Sequence, residues 1–202
     1  MKFIFSIIIA LLFSLTIIAD TTNLEKKRVI LQVETNYGDF FIRLFMEDAP
    51  ETSKNFLKYV KDNYYDNTIF HRVIPGFIIQ GGGFEKGLIA KPFNAPIINE
   101  SRTSKKNTKG TLGMALNTNK ASAASQFYIN LADNIDLDYS IGSVRGYTVF
   151  AEVIDGMDII EKISKVQTRQ ITYYSTLYKR NITFHDYPER EIIIKKIRKL
   201  TQ

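Results

Sequence analysis

The strongest constraint on this chain is a succession of short apolar runs of strand length, beginning at residue 29. Residues 29–35 put Val29, Leu31 and Val33 on one face, and residues 39–45 put Phe40, Ile42 and Leu44 on one face. Asn36-Tyr37-Gly38 between them is a turn signal, so the two runs predict a hairpin. Further strand-type runs cover residues 69–74, 77–80, 111–116, 126–131, 147–153 and 191–200. Two helices interrupt them. One opens at Ala49-Pro50-Glu51, where proline suits the first turn and an acid suits the dipole. It carries the stripe Phe56, Leu57 and Val60 and ends near Asn63. The other covers residues 157–164. Gly81-Gly82-Gly83 and residues 92–96 mark loops. Many short strands with two short helices predict a mainly β fold, a closed antiparallel barrel with helices over its ends, in one domain. Residues 169–190 fit this scheme least. They are too long for a hairpin loop and carry Tyr173, Tyr174, Tyr178, Phe184 and Tyr187. Those aromatics either pack over the barrel or form a separate contact surface.

The N-terminus is of another kind. Met1-Lys2 precedes FIFSIIIALLFSLTIIA, residues 3–19, a run without charge. A lysine before an apolar core and a small residue after it predict a secretory signal peptide cut after Ala19. The alternative is an uncleaved membrane anchor, but 17 residues at 1.5 Å rise reach roughly 26 Å, short of the roughly 30 Å hydrocarbon core. Cleavage leaves 183 residues and a charge of +5 of the original +6. Residues 20–28 are polar and read as a flexible lead-in. The destination expected is the periplasm, with secretion or membrane attachment by an uncut leader as alternatives. No membrane span is expected once the leader is cut.

The composition excludes several chemistries. Without cysteine there is no disulfide, no thiol catalysis and no cysteine-ligated zinc or iron–sulfur site. With only His71 and His185, a three-histidine metal site is impossible. The glycine run is no phosphate loop, because no Lys-Ser/Thr follows it. The basic pairs Lys105-Lys106 and residues 195–199 read as solvated faces, the latter as an edge strand. Nucleic-acid binding is not expected.

Residues 70–84, FHRVIPGFIIQGGGF, form the densest unusual segment. They resemble the signature of the cyclophilin family of peptidyl-prolyl cis-trans isomerases. NTKGTLGMA at 107–115, SQFYIN at 125–130, Leu137-Asp138 and residues 147–156 agree in order and spacing. The resemblance covers residues 29–166 and extends to the last strand. It implies an eight-stranded antiparallel barrel capped by two helices, and an enzyme that isomerises X–Pro bonds without metal or cofactor.

The same resemblance assigns roles. Arg72 matches the catalytic arginine. Phe77, Met114, Tyr128 and Leu137 match the clamp around the proline ring, and Ala115 lies on the same pocket strand. Gln80 and Gln126 match the amides that hold the peptide backbone. Tyr147 stands where many relatives have His. His71 is expected to be structural rather than an acid or base. Three departures stand out. Ile78 replaces the usual Met, Leu116-Asn117 replaces the usual Asn-Ala, and Asp136 replaces the Trp of cyclosporin-sensitive relatives. The expected partners are proline-containing peptides and unfolded exported proteins, with the enzyme a monomer. The alternatives are a cyclophilin-fold binding module or chaperone with little turnover, and a surface host-contact protein using the basic faces and the aromatic segment.

Overall fold

The computed structural model describes residues 29–116, 123–141 and 146–200. The predicted leader, the lead-in and Asn117 lie outside the described residues. The chain runs β1 (Ile30–Thr35), β2 (Gly38–Leu44), α1 (Pro50–Lys61), β3 (Thr68–Ile74), β4 (Ile78–Glu85), β5 (Ile89–Ala90) and β6 (Thr111–Leu116). It continues with β7 (Ala123–Asn130), β8 (Val149–Asp155), α2 (Met157–Ser164), β9 (Thr168–Ser175), β10 (Arg180–Pro188) and β11 (Ile192–Lys199). Among the described residues, no helix is long and apolar enough to cross a membrane.

The main sheet has the order β3-β11-β1-β2-β8-β6-β7-β4-β5, and β3 also pairs with β4. That extra pairing closes eight strands into an antiparallel barrel and leaves the two-residue β5 as an appendage on β4. Alternation decides which side chains fill it. Leu31 and Val33 of β1, Phe40 and Ile42 of β2, Ile79 of β4, Phe127 and Ile129 of β7 all point inward and are fully buried.

The first helix begins at Pro50, as its sequence predicts, but its cap comes from far away. The Glu100 carboxylate accepts from the Glu51 and Thr52 backbone N–H groups at 3.1 and 2.8 Å. It thereby satisfies donors for which the N-cap residue Ala49 has no side-chain acceptor. Phe56 seats the helix against Tyr65, Phe127 and Phe150, with ring centroids 4.9 to 5.3 Å apart.

Two sequence expectations need correction. Gly81-Gly82-Gly83 is no loop but part of β4. The glycines are there because neighbouring groups occupy their β-carbon positions: the Phe70 ring at Gly81, Tyr65 and Phe127 at Gly82, and the Gln126 amide at Gly83. Likewise β11 is no edge strand. It lies between β1 and β3, so barrel closure leaves it no free edge. Its basic side chains face outward, where Arg198 meets Glu34 at 2.8 Å and Lys196 meets Asp66 at 4.0 Å.

Residues 168–188 form a second, two-stranded sheet, β9 with β10. Ile171, Tyr173, Phe184 and Tyr187 lay this hairpin against the outside of the barrel, over Ile69, Phe84 and Leu88. Of the two roles open to the aromatics, Tyr173, Phe184 and Tyr187 take packing over the barrel. Tyr174 points the other way and is exposed.

Candidate active site

Side chains directly opposite one another on neighbouring strands share a face. Arg72 of β3 pairs with Gln80 of β4, Gln80 with Tyr128 of β7, and Tyr128 with Gly113 of β6. These four residues form one row across the outside of the barrel. Strands lie about 4.8 Å apart, so the row spans roughly 14 Å, room for a few residues of extended peptide.

Within the row, Gln80 Nε2 donates to Gln126 Oε1 at 3.0 Å. Gln126 sits two residues before Tyr128 and therefore on the same face. Its amide lies over Gly83, where a β-carbon would come within 2.4 Å of Nε2. The pairing leaves the Gln80 carbonyl oxygen and the Gln126 amino group uncommitted among the described residues. One is an acceptor and the other a donor, as a peptide backbone requires.

Tyr128 forms the floor. Its ring is 2% exposed and stands edge-on to Tyr147 at 5.9 Å. The hydroxyl donates to Asn107 Oδ1 at 2.7 Å. Burial, with Tyr147 and Asp138 nearby, holds the phenol well above its usual range, so it remains a donor. Ile78 is buried on the same face of β4 as Gln80. Phe77, Leu137 and Tyr147 are half-buried around that floor. Ala115 and Leu116 are half-buried at the far end of β6.

Met114 belongs elsewhere. It is fully buried and shares the barrel interior with Leu112 and Phe127. Alternation along β6 turns it inward, so it backs the site strand without a surface for substrate. His71 is buried between the rings of Phe84 and Phe184, at 4.8 and 5.3 Å. Burial, with the neighbouring Arg72 charge, pushes it down to about 3, and the ring is uncharged at neutral pH.

The residues that fix the surrounding loops were not assigned roles from the sequence. Asn134 Nδ2 donates to the Phe77 carbonyl at 2.9 Å and to Asn130 Oδ1 at 2.8 Å. Asn130 Nδ2 donates to Asn107 Oδ1 at 3.2 Å and Thr111 Oγ1 at 2.9 Å. Asn107 in turn gives its backbone N–H and side-chain amide to Asp138 Oδ1, at 2.8 and 3.0 Å. This chain of amides ties the Phe77 turn to the strand ends and to the Leu137 turn. Its only signal in the sequence is the recurrence of Asn and Asp at the ends of the pocket segments. Arg72 also has a partner that no motif announces: its Nε donates to Asp186 Oδ2 at 3.4 Å.

Comparison with known proteins identifies the family and the fold. Residues 30–198 match the model of the family described as cyclophilin type peptidyl-prolyl cis-trans isomerase/CLD. The chain is 47% identical over 165 residues to peptidyl-prolyl cis-trans isomerase B of Escherichia coli (strain K12), covering 81% of this chain and 94% of that protein. It is 50% identical over 139 residues to a peptidyl-prolyl cis-trans isomerase of Acinetobacter baylyi, covering 69% and 73%. A crystal structure of a cyclophilin type isomerase of Cryptosporidium parvum superposes with a TM-score of 0.64 at 29% identity, over 87% of this chain and 99% of that one. The same enzyme in the presence of the dipeptide Ala-Pro gives 0.62 at 28% identity, over 86% and 99%. With an eight-stranded barrel, two helices and a family match over residues 30–198, the chain belongs to the cyclophilin type peptidyl-prolyl cis-trans isomerases.

Proposed function

We propose that this isomerase turns X–Pro bonds in unfolded exported proteins, with Arg72 acting on the proline nitrogen as the amide twists. The planar amide resists rotation by about 18–20 kcal/mol because nitrogen shares its lone pair with the carbonyl. Both isomers of an X–Pro bond are populated, yet they exchange only over tens to hundreds of seconds. No bond has to be broken. A catalyst must bind the twisted form better than either planar form.

Twisting localises the lone pair on nitrogen and makes it an acceptor. A guanidinium keeps its charge and presents planar donors, so it can meet that lone pair only when it appears. The proline ring would rest on Tyr128 and Ile78, bounded by Phe77, Leu137 and Tyr147. Gln80 and Gln126 would hold the peptide backbone while the acyl side turns. Ala115 and Leu116 would meet residues beyond the proline. The observation that carries this reading is the row Arg72, Gln80, Tyr128 and Gly113, which places a charge and a closed aromatic floor on one face.

Export and periplasmic residence rest on the sequence of residues 1–19. Sequencing the N-terminus of the mature protein tests them, with Asp20 expected first. The activity on proteins is tested by refolding a protein whose slow phase is proline-limited. Catalytic amounts of wild type should shorten that phase, and Arg72→Ala should not. An unchanged slow phase with wild type would overturn the proposal.

A further inference from the structure

The hairpin β9–β10 does more than cover apolar surface. Along β10, Ile182, Phe184 and Asp186 are half-buried on the side facing the barrel, while Asn181, Thr183 and His185 face solvent. Tyr187, the next residue, is buried as well. Two consecutive residues can face inward because β10 carries a bulge between Phe184 and Tyr187. Their partners are Ile171 and Arg169, so His185 and Asp186 together oppose Gln170. Both flanks of the bulge are anchored. Phe184 meets His71 and Phe84 edge to face, at 5.3 and 5.4 Å, and Tyr187 donates to Glu191 Oε1 at 3.1 Å. Asp186 is therefore a carboxylate held, one third exposed, on the face it shares with Ile182 and Phe184. Its partner is Arg72 Nε, at 3.4 Å.

We propose that Asp186, delivered by the β10 bulge, is a positioning residue that holds the Arg72 guanidinium in its working orientation. The proposal rests on the reading of Arg72 as the residue that acts on the proline nitrogen. The carboxylate engages the Nε edge, and among the described residues no protein acceptor meets the two terminal nitrogens. Those nitrogens stay available to a substrate. Both side chains are about a third or more exposed, 40% for Arg72 and 33% for Asp186, so the pair contributes little to stability. Its effect falls on orientation, and a flexible arginine side chain left to itself samples many rotamers before it meets the lone pair.

The test is turnover of a proline peptide by NMR exchange in Asp186→Asn, Asp186→Glu, Arg72→Ala and the double variant Arg72→Ala/Asp186→Asn. Asp186→Asn should lower kcat about three- to fivefold with KM nearly unchanged and the melting temperature kept. Asp186→Glu should restore part of the loss. The Arg72 ¹⁵Nε resonance should move in Asp186→Asn, and that substitution should change nothing further when Arg72 is already alanine. Wild-type kcat in Asp186→Asn alongside an impaired Arg72→Ala would overturn the role of Asp186 alone. An equal further loss in the double variant would make the hairpin contact merely structural and overturn it too. Wild-type kcat in Arg72→Ala would instead overturn the reading of Arg72, and this proposal with it.

Discussion

The Tyr128 ring lies directly over Gly113, its register partner on β6. A β-carbon on Gly113 would sit 2.1 Å from both Cζ and the phenolic oxygen. Neither group can yield easily, because the hydroxyl is fixed on Asn107 and the glycine is backbone in a paired strand. Gly113→Ala should therefore push the ring off the floor of the site. The expected result is a loss of about 1–3 kcal/mol in stability together with a rise in KM for proline peptides. Denaturant unfolding and steady-state exchange measure the two effects. A variant with wild-type values of both would contradict this account of the floor.

Tyr128→Phe separates the ring from its hydroxyl. The ring keeps its place while Asn107 Oδ1 loses one of its two side-chain donors and keeps the Asn130 amide at 3.2 Å. Stability should fall by about 1 kcal/mol, and kcat/KM should stay within about twofold of wild type. A large catalytic loss without a stability loss would assign the hydroxyl a direct part in catalysis.

His71 makes acid stability predictable in sign. In the unfolded chain it takes up a proton near pH 6.5, but in the folded protein burial holds it down to about 3. The unfolded state therefore binds more protons between these values. The stability contributed by neutral His71 is complete above pH 6.5 and is lost as the pH falls towards 3. The slope is at most about 1.4 kcal/mol per pH unit. His71→Phe suits the surrounding Phe84 and Phe184 rings and should flatten the curve between pH 6.5 and 4. Urea unfolding at several pH values tests this, and parallel curves for the two proteins would refute it.

Asp136 bears on inhibition. It is exposed at the 3-10 turn that ends in Leu137, where cyclosporin-sensitive relatives are expected to carry an indole. A carboxylate offers neither the apolar plane nor the N–H donor of that side chain. Cyclosporin should bind weakly, and Asp136→Trp should tighten it by about tenfold or more, readable by titration calorimetry. Nanomolar binding to the wild-type protein would contradict the prediction.

Much of the barrel is legible in the sequence because a two-residue period survives in Val29, Leu31, Val33 and in Phe40, Ile42, Leu44, whose inward faces fill it. The glycine run misleads for a physical reason. Glycine signals a loop when only neighbours in sequence are known, whereas here it clears space for Phe70, Tyr65 and Gln126, which arrive from elsewhere in the chain. Met114 looks like a pocket residue by its place in the strand, but which face it takes depends on the barrel register. Ile182 and Phe184 do alternate in sequence. The bulge that lets Asp186 and Tyr187 face inward together depends on pairing with β9 and has no local signal. The site motif was therefore legible, and the hairpin partner of its arginine was not.

The central claim is that Arg72 stabilises the twisted amide by donating to the proline nitrogen. The direct measurement is cis–trans exchange of a short Ala-Pro peptide at equilibrium, followed by NMR with wild type, Arg72→Lys and Arg72→Ala, together with the affinity of each for the peptide. A hydrogen bond from a charged donor contributes about 1.5–3 kcal/mol. Its loss in Arg72→Ala should slow bound-state exchange by about 10- to 100-fold with the affinity largely kept, and Arg72→Lys should recover only part. Exchange in Arg72→Ala as fast as in wild type would contradict the account.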